Sequence, residues 1–370
     1  MNNKSLNILI ITSRADFGGG PEHIYSLLKA LHKNNNFYIA CPNDIPYKKR
    51  FADLIGENKV ILIPHRKFTI KTLFRLRAFL KQNSIKIIHS HGKGAGIYSR
   101  SLSYMTGIPC IHTFHGFHTG NYNGFQKYFY KLLEKILSLF TKKIISVSKG
   151  EYEILIENRI SSPSKIIIIE NAVEIPAQSI SQQNFFSTPK IITTFTRFNY
   201  QKNSSLLIEI FKELKKKTHI KSFKIILLGT GEEESKIKEK VKEEDLGEFF
   251  VFNKTVESPG KYLEDSFCYI STSRWEGMPL AVLEAMSYGI PVIATDVVGN
   301  KDLVENNKTG FLYSLENPKE GADFIIMLSE NFEKWKSLVN ESREKTIKHF
   351  SLARMAEETK NIYNIVSGLS

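Results

Sequence analysis

Residues 6–33 read Leu-Asn-Ile-Leu-Ile-Ile-Thr-Ser-Arg-Ala-Asp-Phe-Gly-Gly-Gly-Pro-Glu-His-Ile-Tyr-Ser-Leu-Leu-Lys-Ala-Leu-His-Lys, and the order of residue types here decides the class of fold. The β-rich run at 6–12 predicts a strand, a glycine-rich loop follows, and 21–33 predicts a helix. The pattern recurs outward from this stretch. Strands fit 37–41, 59–63, 85–89, 109–113, 143–147 and 165–169, and helices fit 69–82, 94–105, 124–140 and 149–158. Such alternation implies a parallel sheet covered on both faces. The polar, aperiodic stretch Pro176-Ala-Gln-Ser-Ile-Ser-Gln-Gln-Asn reads as a linker. Alternation then restarts, with strands at 190–195, 224–228, 248–253, 267–271 and 291–294 and helices at 203–217, 233–244 and 279–288. A last helix is expected at 352–365 with no strand after it. The expected α/β architecture is two Rossmann-like parallel-sheet domains, 1–178 and 189–351, facing across a cleft. Ligands belong beyond the carboxyl ends of the strands, so the loops after strands are where chemistry is sought.

Composition narrows the class. The 370 residues are 42% apolar and 24% charged, which excludes disordered and fibrous chains. Apolar runs such as Ile166–Ile169 fall far short of the ~20 residues of a spanning helix. The N-terminal apolar run is short and interrupted by Asn7, unlike a secretion signal. Cys41, Cys110 and Cys268 are widely spaced and give neither a disulfide framework nor a zinc knuckle, so a soluble, cytoplasmic protein is expected. The net charge of +13 is unevenly placed: residues 1–150 hold 23 Lys/Arg against six acids, a surplus of 17, and the remainder nets −4. A fold does not require that asymmetry; it points to an anionic partner for the first half. Nothing resembles a nucleic-acid module, so nucleic acid is not the expected partner.

The most informative chemistry lies in Ser273-Arg-Trp-Glu-Gly-Met-Pro-Leu-Ala-Val-Leu-Glu-Ala-Met-Ser-Tyr-Gly-Ile-Pro. Pro279 suits a helix start and Gly289 with Pro291 a stop; the helix between is almost wholly apolar, which predicts burial. Glu284 is its one ionisable residue, too far in to act as a cap. Glu276 lies just ahead of the helix N-terminus, whose unpaired N–H groups suit a diphosphate. Two carboxylates flanking an anion site suit a sugar nucleotide. Equally, Glu284 is a carboxylate satisfied by a neighbouring Arg, and Glu276 a loop acid.

This segment resembles the Glu-x7-Glu motif of the retaining glycosyltransferases of family four (group 1, GT-B fold), with Glu276 and Glu284 as the pair. Thr196-Arg-Phe-Asn-Tyr-Gln-Lys-Asn resembles the family's loop whose Arg and Lys hold the donor diphosphate, here Arg197 and Lys202. Asp16-Phe-Gly-Gly-Gly-Pro-Glu-His resembles its glycine-rich loop, with Gly19 and Gly20 near the donor. Leu228-Gly-Thr-Gly resembles its turn beside the base, with Gly229 and Gly231; a third glycine is missing, which disfavours a nicotinamide enzyme. Gly277, Met278, Pro279 and Leu280 complete the donor loop. In Thr113-Phe-His-Gly the resemblance makes His115 the active-site histidine and leaves His91 and His118 structural or acceptor-side. Asn171 receives no catalytic role, since Ala172 replaces the family's usual glycine. There is no Asp-x-Asp, and the crowded histidines lack a companion Cys or carboxylate cluster, so neither metal nor cofactor is expected.

The resemblance implies metal-independent transfer, with retention, from a nucleoside-diphosphate sugar, UDP first among the nucleotides. The donor would sit in the second domain, the acceptor in the basic first domain, and the 352–370 helix would pack back on the first. The pattern His89-Ser-His-Gly-Lys-Gly-Ala-Gly with Trp275-Glu-Gly-Met-Pro resembles bacterial surface-polysaccharide enzymes that act on a lipid-diphosphate carrier. A peripheral position on the cytoplasmic face of the inner membrane follows, with residues 66–81 or 125–143 as basic, aromatic segments for an anionic membrane surface. Each segment equally reads as an ordinary sheet-flanking helix with a charged outer face. Two rivals stand beside transfer: a UDP-sugar epimerase of the same fold, and a catalytically silent, membrane-docked binding subunit.

Overall fold

Ile8, Leu9, Ile10 and Ile11 are all fully buried. Successive strand residues point to opposite faces, so this strand is covered on both sides, which is why its sequence is continuous rather than alternating. Ile8 and Ile10 enter one apolar cluster, Leu9 and Ile11 another. The computed structural model describes residues 5–33, 35–118, 120, 122–217, 220–254 and 260–368. It divides into two units, residues 1–172 with 352–370, and residues 173–351.

The first unit runs β1 (Asn7–Thr12), α1 (Gly19–Leu31), β2 (Asn36–Cys41), α2 (Tyr47–Ile55), β3 (Val60–Leu62), α3 (Ile70–Gln82) and β4 (Ile87–His91). It continues with α4 (Lys93–Thr106), β5 (Cys110–Thr113), α5 (Gly124–Leu139), β6 (Lys143–Ser146), α6 (Lys149–Glu157) and β7 (Ile166–Ile168). The seven strands are ordered β3-β2-β1-β4-β5-β6-β7 and every pair is parallel. The order reverses between β1 and β4, with Thr12 paired to His91 at the carboxyl ends.

The second unit runs α7 (Gln183–Phe186), β8 (Lys190–Phe195), α8 (Ser205–Lys217), β9 (Phe223–Leu228), α9 (Glu234–Glu243), β10 (Phe250–Asn253) and α10 (Gly260–Glu264). Then come β11 (Cys268–Ser271), α11 (Leu280–Ser287), β12 (Val292–Thr295), α12 (Asn300–Leu303), β13 (Gly310–Tyr313), α13 (Pro318–Glu330) and α14 (Phe332–His349). Its six parallel strands are ordered β10-β9-β8-β11-β12-β13, reversing between β8 and β11. The final helix, α15 (Leu352–Ser367), belongs to the first unit: Met355, Ile362, Tyr363 and Val366 join the cluster that holds Ile8 and Ile10.

The observed elements depart from the sequence reading in four places. Helices α2, α7, α10, α12, α13 and α14 and strand β13 were not expected; β13 is only four residues long, and a single residue, Asn331, separates α13 from α14. The expected linker is packed: Ile180 and Phe185 are buried, Ile180 N–H donates to Tyr288 O at 2.8 Å, and Arg343 donates to Pro176 O at 2.7 Å. Its polar side chains, Gln178, Ser179, Ser181, Gln182 and Gln183, face solvent, while Ile180 and Phe185 anchor it. Strand β4 starts two residues late and reaches His91. Finally, Glu284 is half-buried on α11, not enclosed.

Candidate functional site

In the second unit the reversal of strand order brings two loops together. Arg197 and Lys202 lie in the loop after β8, and Glu276 in the loop after β11. Those two strands are neighbours, so residues 74 apart in sequence meet: Lys202 Nζ lies 2.6 Å from Glu276 Oε1. Ser273 Oγ donates to the same oxygen at 2.6 Å, and Gln201 Nε2 donates to Trp275 O at 3.0 Å. The lysine is 24% exposed and the glutamate 10%. This is a charged pair at a strand-end crevice, with its cation accessible to an anion. Arg197 is half-buried in the same loop.

Gly277, Met278, Pro279 and Leu280 are buried and deliver the chain into α11, whose first N–H groups have no helical partners of their own. Pro279 caps the helix, and its carbonyl accepts from Val282 and Leu283. Gly299, outside the sequence candidates, has φ +90°, and a Cβ there would lie 2.6 Å from Glu276 Cβ. It lets the loop after β12 press on the glutamate. Gly229 and Gly231 follow β9, and a Cβ on Gly231 would fall 2.4 Å from Phe198 O. Close approach of two strand-end loops therefore requires glycine there, independently of any ligand. Glu284 lies about one turn into α11, near enough to Tyr269 and Tyr288 for its charge to help raise both phenols, although burial is the larger cause for each.

In the first unit Gly19 and Gly20 open α1, and a Cβ on Gly20 would sit 3.9 Å from the His115 ring, an ordinary contact. His115 follows β5 and its Nε2 is 3.1 Å from His91 Nδ1; the rings stack at 5.4 Å. His23, on α1, meets His115 edge-on at 4.9 Å. Nitrogen atoms of His23, His91 and His115 all lie within 4.8 Å of one another, a donor set able to take a divalent cation. His23 Nδ1 pairs with Asn171 Oδ1 at 2.9 Å, 148 residues away, so its Nδ1 carries the proton and Nε2 the lone pair. Burial lowers His23 to about 4 and His115 well below the imidazole range. These rings are neutral at pH 7 and act as hydrogen-bonding groups.

The remaining histidines divide. His89 bonds Tyr363 Oη and Thr113 Oγ1, both at 2.8 Å, and His112 bonds Ser90 Oγ at 2.8 Å, so both serve the core. His118 is half-buried; its carbonyl accepts from Lys93 Nζ at 3.2 Å. The loop that carries His115 is held by Glu151, which the sequence reading missed. Its Oε1 accepts from Gly116 N–H at 2.6 Å and Phe117 N–H at 2.9 Å, and its Oε2 from Val147 N–H at 2.9 Å and Ser146 Oγ at 3.2 Å. Burial pushes this carboxyl up while its donors pull it down. His23 had a weak sequence signal, one turn after the glycine loop; Glu151 and Gly299 had none.

Comparison with known proteins follows this geometry. Residues 177–345 match the family described as glycosyl transferases group 1, and residues 17–175 match glycosyltransferase family 4. An Escherichia coli protein, UDP-Gal:alpha-D-GlcNAc-diphosphoundecaprenol alpha-1,3-galactosyltransferase, is 27% identical over 80% of this chain and 79% of its own. The Escherichia coli O-antigen biosynthesis glycosyltransferase WbnH is 29% identical over 81% of this chain and 84% of its own. Anabaena Alr3699/HepE, in its crystal structure with UDP and glucose, has a TM-score of 0.84 at 16% identity, covering 97% of this chain and 99% of that one. At that identity the likeness is one of fold.

Proposed function

The chain belongs to the glycosyltransferases of group 1, family 4, and from that premise we propose that it moves a hexose or N-acetylhexosamine from a UDP-sugar onto a lipid-diphosphate-linked saccharide in surface-polysaccharide synthesis. The observation that carries this reading is the Lys202–Glu276 pair at the strand-end crevice ahead of α11. Lys202, Arg197 and the α11 N-terminus take the diphosphate, supplying fixed positive charge where negative charge develops on departure. Glu276 orients sugar hydroxyls and Glu284 the ribose, with Gly229 and Gly231 beside the base and Gly19 and Gly20 near the donor. His115 lies over the reacting carbon. The bond from the anomeric carbon to the diphosphate breaks as the acceptor oxygen bonds on the same face, and the acceptor proton leaves on the diphosphate. In this reading, which follows the family resemblance, transfer is retaining and the diphosphate's charge is met by Lys202, Arg197 and the α11 N-terminus without a metal. The name of the Escherichia coli galactosyltransferase supports a UDP-sugar and a carrier-linked acceptor, and that of WbnH supports a role in surface-polysaccharide synthesis. No helix among the described residues is long and apolar enough to cross a membrane; the basic first unit meets such an acceptor at the cytoplasmic face of the anionic inner membrane.

Thermal unfolding with UDP, GDP, ADP and dTDP, each with and without EDTA, tests this. Ligand at ~100 times its Kd adds ~2.7 kcal/mol of stability. Selective, EDTA-indifferent stabilisation by UDP is expected. Stabilisation by no nucleotide overturns the donor assignment and favours the silent binding subunit. UDP-sugar interconverted without acceptor identifies the epimerase.

A further inference from the structure

Helix α5 turns aromatic and aliphatic side chains to the solvent. Tyr130, Glu134, Leu137 and Ser138 are buried toward the unit's interior. The other side carries Phe125, Tyr128, Phe129, Leu132, Ile136 and Leu139, all exposed, with Phe125 at 78% and Leu139 at 71%. At 3.6 residues per turn these six fall within an arc of about 100°, opposite the buried set. An ordinary sheet-flanking helix turns charge to the solvent there, so the charged outer face expected of this segment is not what is found. Tyr104 of α4, 73% exposed, meets Phe140 at 5.0 Å and extends the patch past the C-terminal end of α5.

Charge selects the occupant. Lys127, Lys131, Lys135, Lys142 and Lys143 are the basic residues of 124–143, and by helical spacing Lys131 and Lys135 border the apolar arc on one side. The segment's one acid, Glu134, is buried and bonded to Arg100 at 2.6 Å, so no carboxylate of the segment itself offsets those lysines at the surface. A second copy of the chain would bring the same lysines against each other across a self-complementary contact. Helix α3 lacks the pattern: Ile70 and Phe74 are exposed, but Lys71, Arg75, Arg77 and Lys81 share its outer side. We propose that the outer face of α5, extended by Tyr104, lies in the interface of an anionic lipid bilayer, with its aromatic and aliphatic side chains among the acyl boundary and its lysines on the headgroups. This rests on the reading of a lipid-linked acceptor, and it assigns the membrane contact to α5 rather than α3.

The test is co-sedimentation of the full-length chain with vesicles of phosphatidylcholine alone or with about 30% phosphatidylglycerol, at low and high salt. Binding is expected only to the anionic vesicles and is expected to weaken with salt. Phe125→Ser/Phe129→Ser/Ile136→Ser and Lys131→Glu/Lys135→Glu should each lower the partition constant about tenfold or more. Lys71→Glu/Arg75→Glu on α3 should change it less than about threefold. All substituted side chains lie off the buried face, and the Asn123–Gln126 capping box is kept, so UDP-induced thermal stabilisation should match wild type in each variant. Anionic vesicles that fail to bind wild type, or α5 variants that bind as wild type, overturn the proposal. So does self-association of wild type that the α5 variants abolish, which assigns the face to a second copy. UDP that stabilises none of the proteins, with the vesicle pattern intact, refutes the donor reading and leaves the surface assignment standing.

Discussion

Replacing Glu276 with glutamine should separate nucleotide binding from turnover, in opposite directions. In the ligand-free chain the Glu276 carboxylate holds Lys202 Nζ at 2.6 Å, with side-chain exposures of 10% and 24%. A diphosphate must draw the same ammonium away from it. The gross attraction is large at such a distance, but partly exposed pairs net only about 1 kcal/mol after desolvation and side-chain ordering. Glutamine preserves the volume and can still accept from Ser273 Oγ, but it frees the ammonium and removes a negative charge beside the phosphates. UDP should therefore bind Glu276→Gln up to about fivefold more tightly than wild type. Transfer from UDP-sugar should fall, because a carboxylate-assisted hydrogen bond to a sugar hydroxyl is worth about 1.5–3 kcal/mol, or roughly 10–150-fold in kcat/KM. Lys202→Met supplies the contrast: it should weaken UDP by about the same 10–150-fold. Titration calorimetry with UDP and steady-state kinetics read both quantities. A Glu276→Gln variant that binds UDP several-fold more weakly, or turns over as wild type, would refute the reasoning.

Other perturbations probe the first unit. Glu151→Gln puts an amide N–H2 where a carboxylate oxygen now accepts, at a cost of about 1–3 kcal/mol; calorimetry should show the unit melting a few degrees lower, and kcat should drop more than KM changes as the His115 loop loosens. Unchanged melting would remove Glu151 from that role. Glu134→Gln leaves the Arg100 guanidinium, 1% exposed, without its counter-charge, which should cost about 3–5 kcal/mol in urea unfolding, whereas Arg100→Met/Glu134→Leu together should recover much of it. The histidine cluster sets an acid limit. His23 sits at about 4 in the folded unit against 6.5 in its unperturbed state, and His91, His112 and His115 are lowered in the same direction, all mainly by burial. Below pH 6.5 the unfolded chain takes up protons that the folded unit refuses, so stability is full above that pH and declines toward pH 4. His23 alone accounts for about 3 kcal/mol across that window. Unfolding midpoints that stay flat from pH 7 to pH 5 would contradict neutral, buried imidazoles.

Much of this protein is written locally. Leu6–Thr12 with its glycine loop and helix, and the later strand–helix units, are legible because each depends on residues a few positions apart. Arg197, Lys202, Glu276 and Glu284 are legible as candidates only, through short, fixed spacings that resemble a family's motifs. The short β13 and the nearly continuous α13 and α14 escape because nothing in their local pattern separates strand, turn and helix.

What tertiary structure alone decides is which loops and faces meet. The Lys202–Glu276 and His23–Asn171 pairs span 74 and 148 residues, and Glu151 reaches back across 35 to hold Gly116. Each follows from sheet order and the placing of helices over it, which periodicity does not encode. The same holds for exposure. The composition of α11 predicted burial, yet not that position 284 stays half-exposed; α5 read equally as an ordinary flanking helix with a charged outer face, and only packing shows that its exposed arc is apolar. Local backbone and side-chain preferences are short-ranged and therefore visible in sequence, whereas burial is a competition among all surfaces of the folded unit and is settled only once they pack.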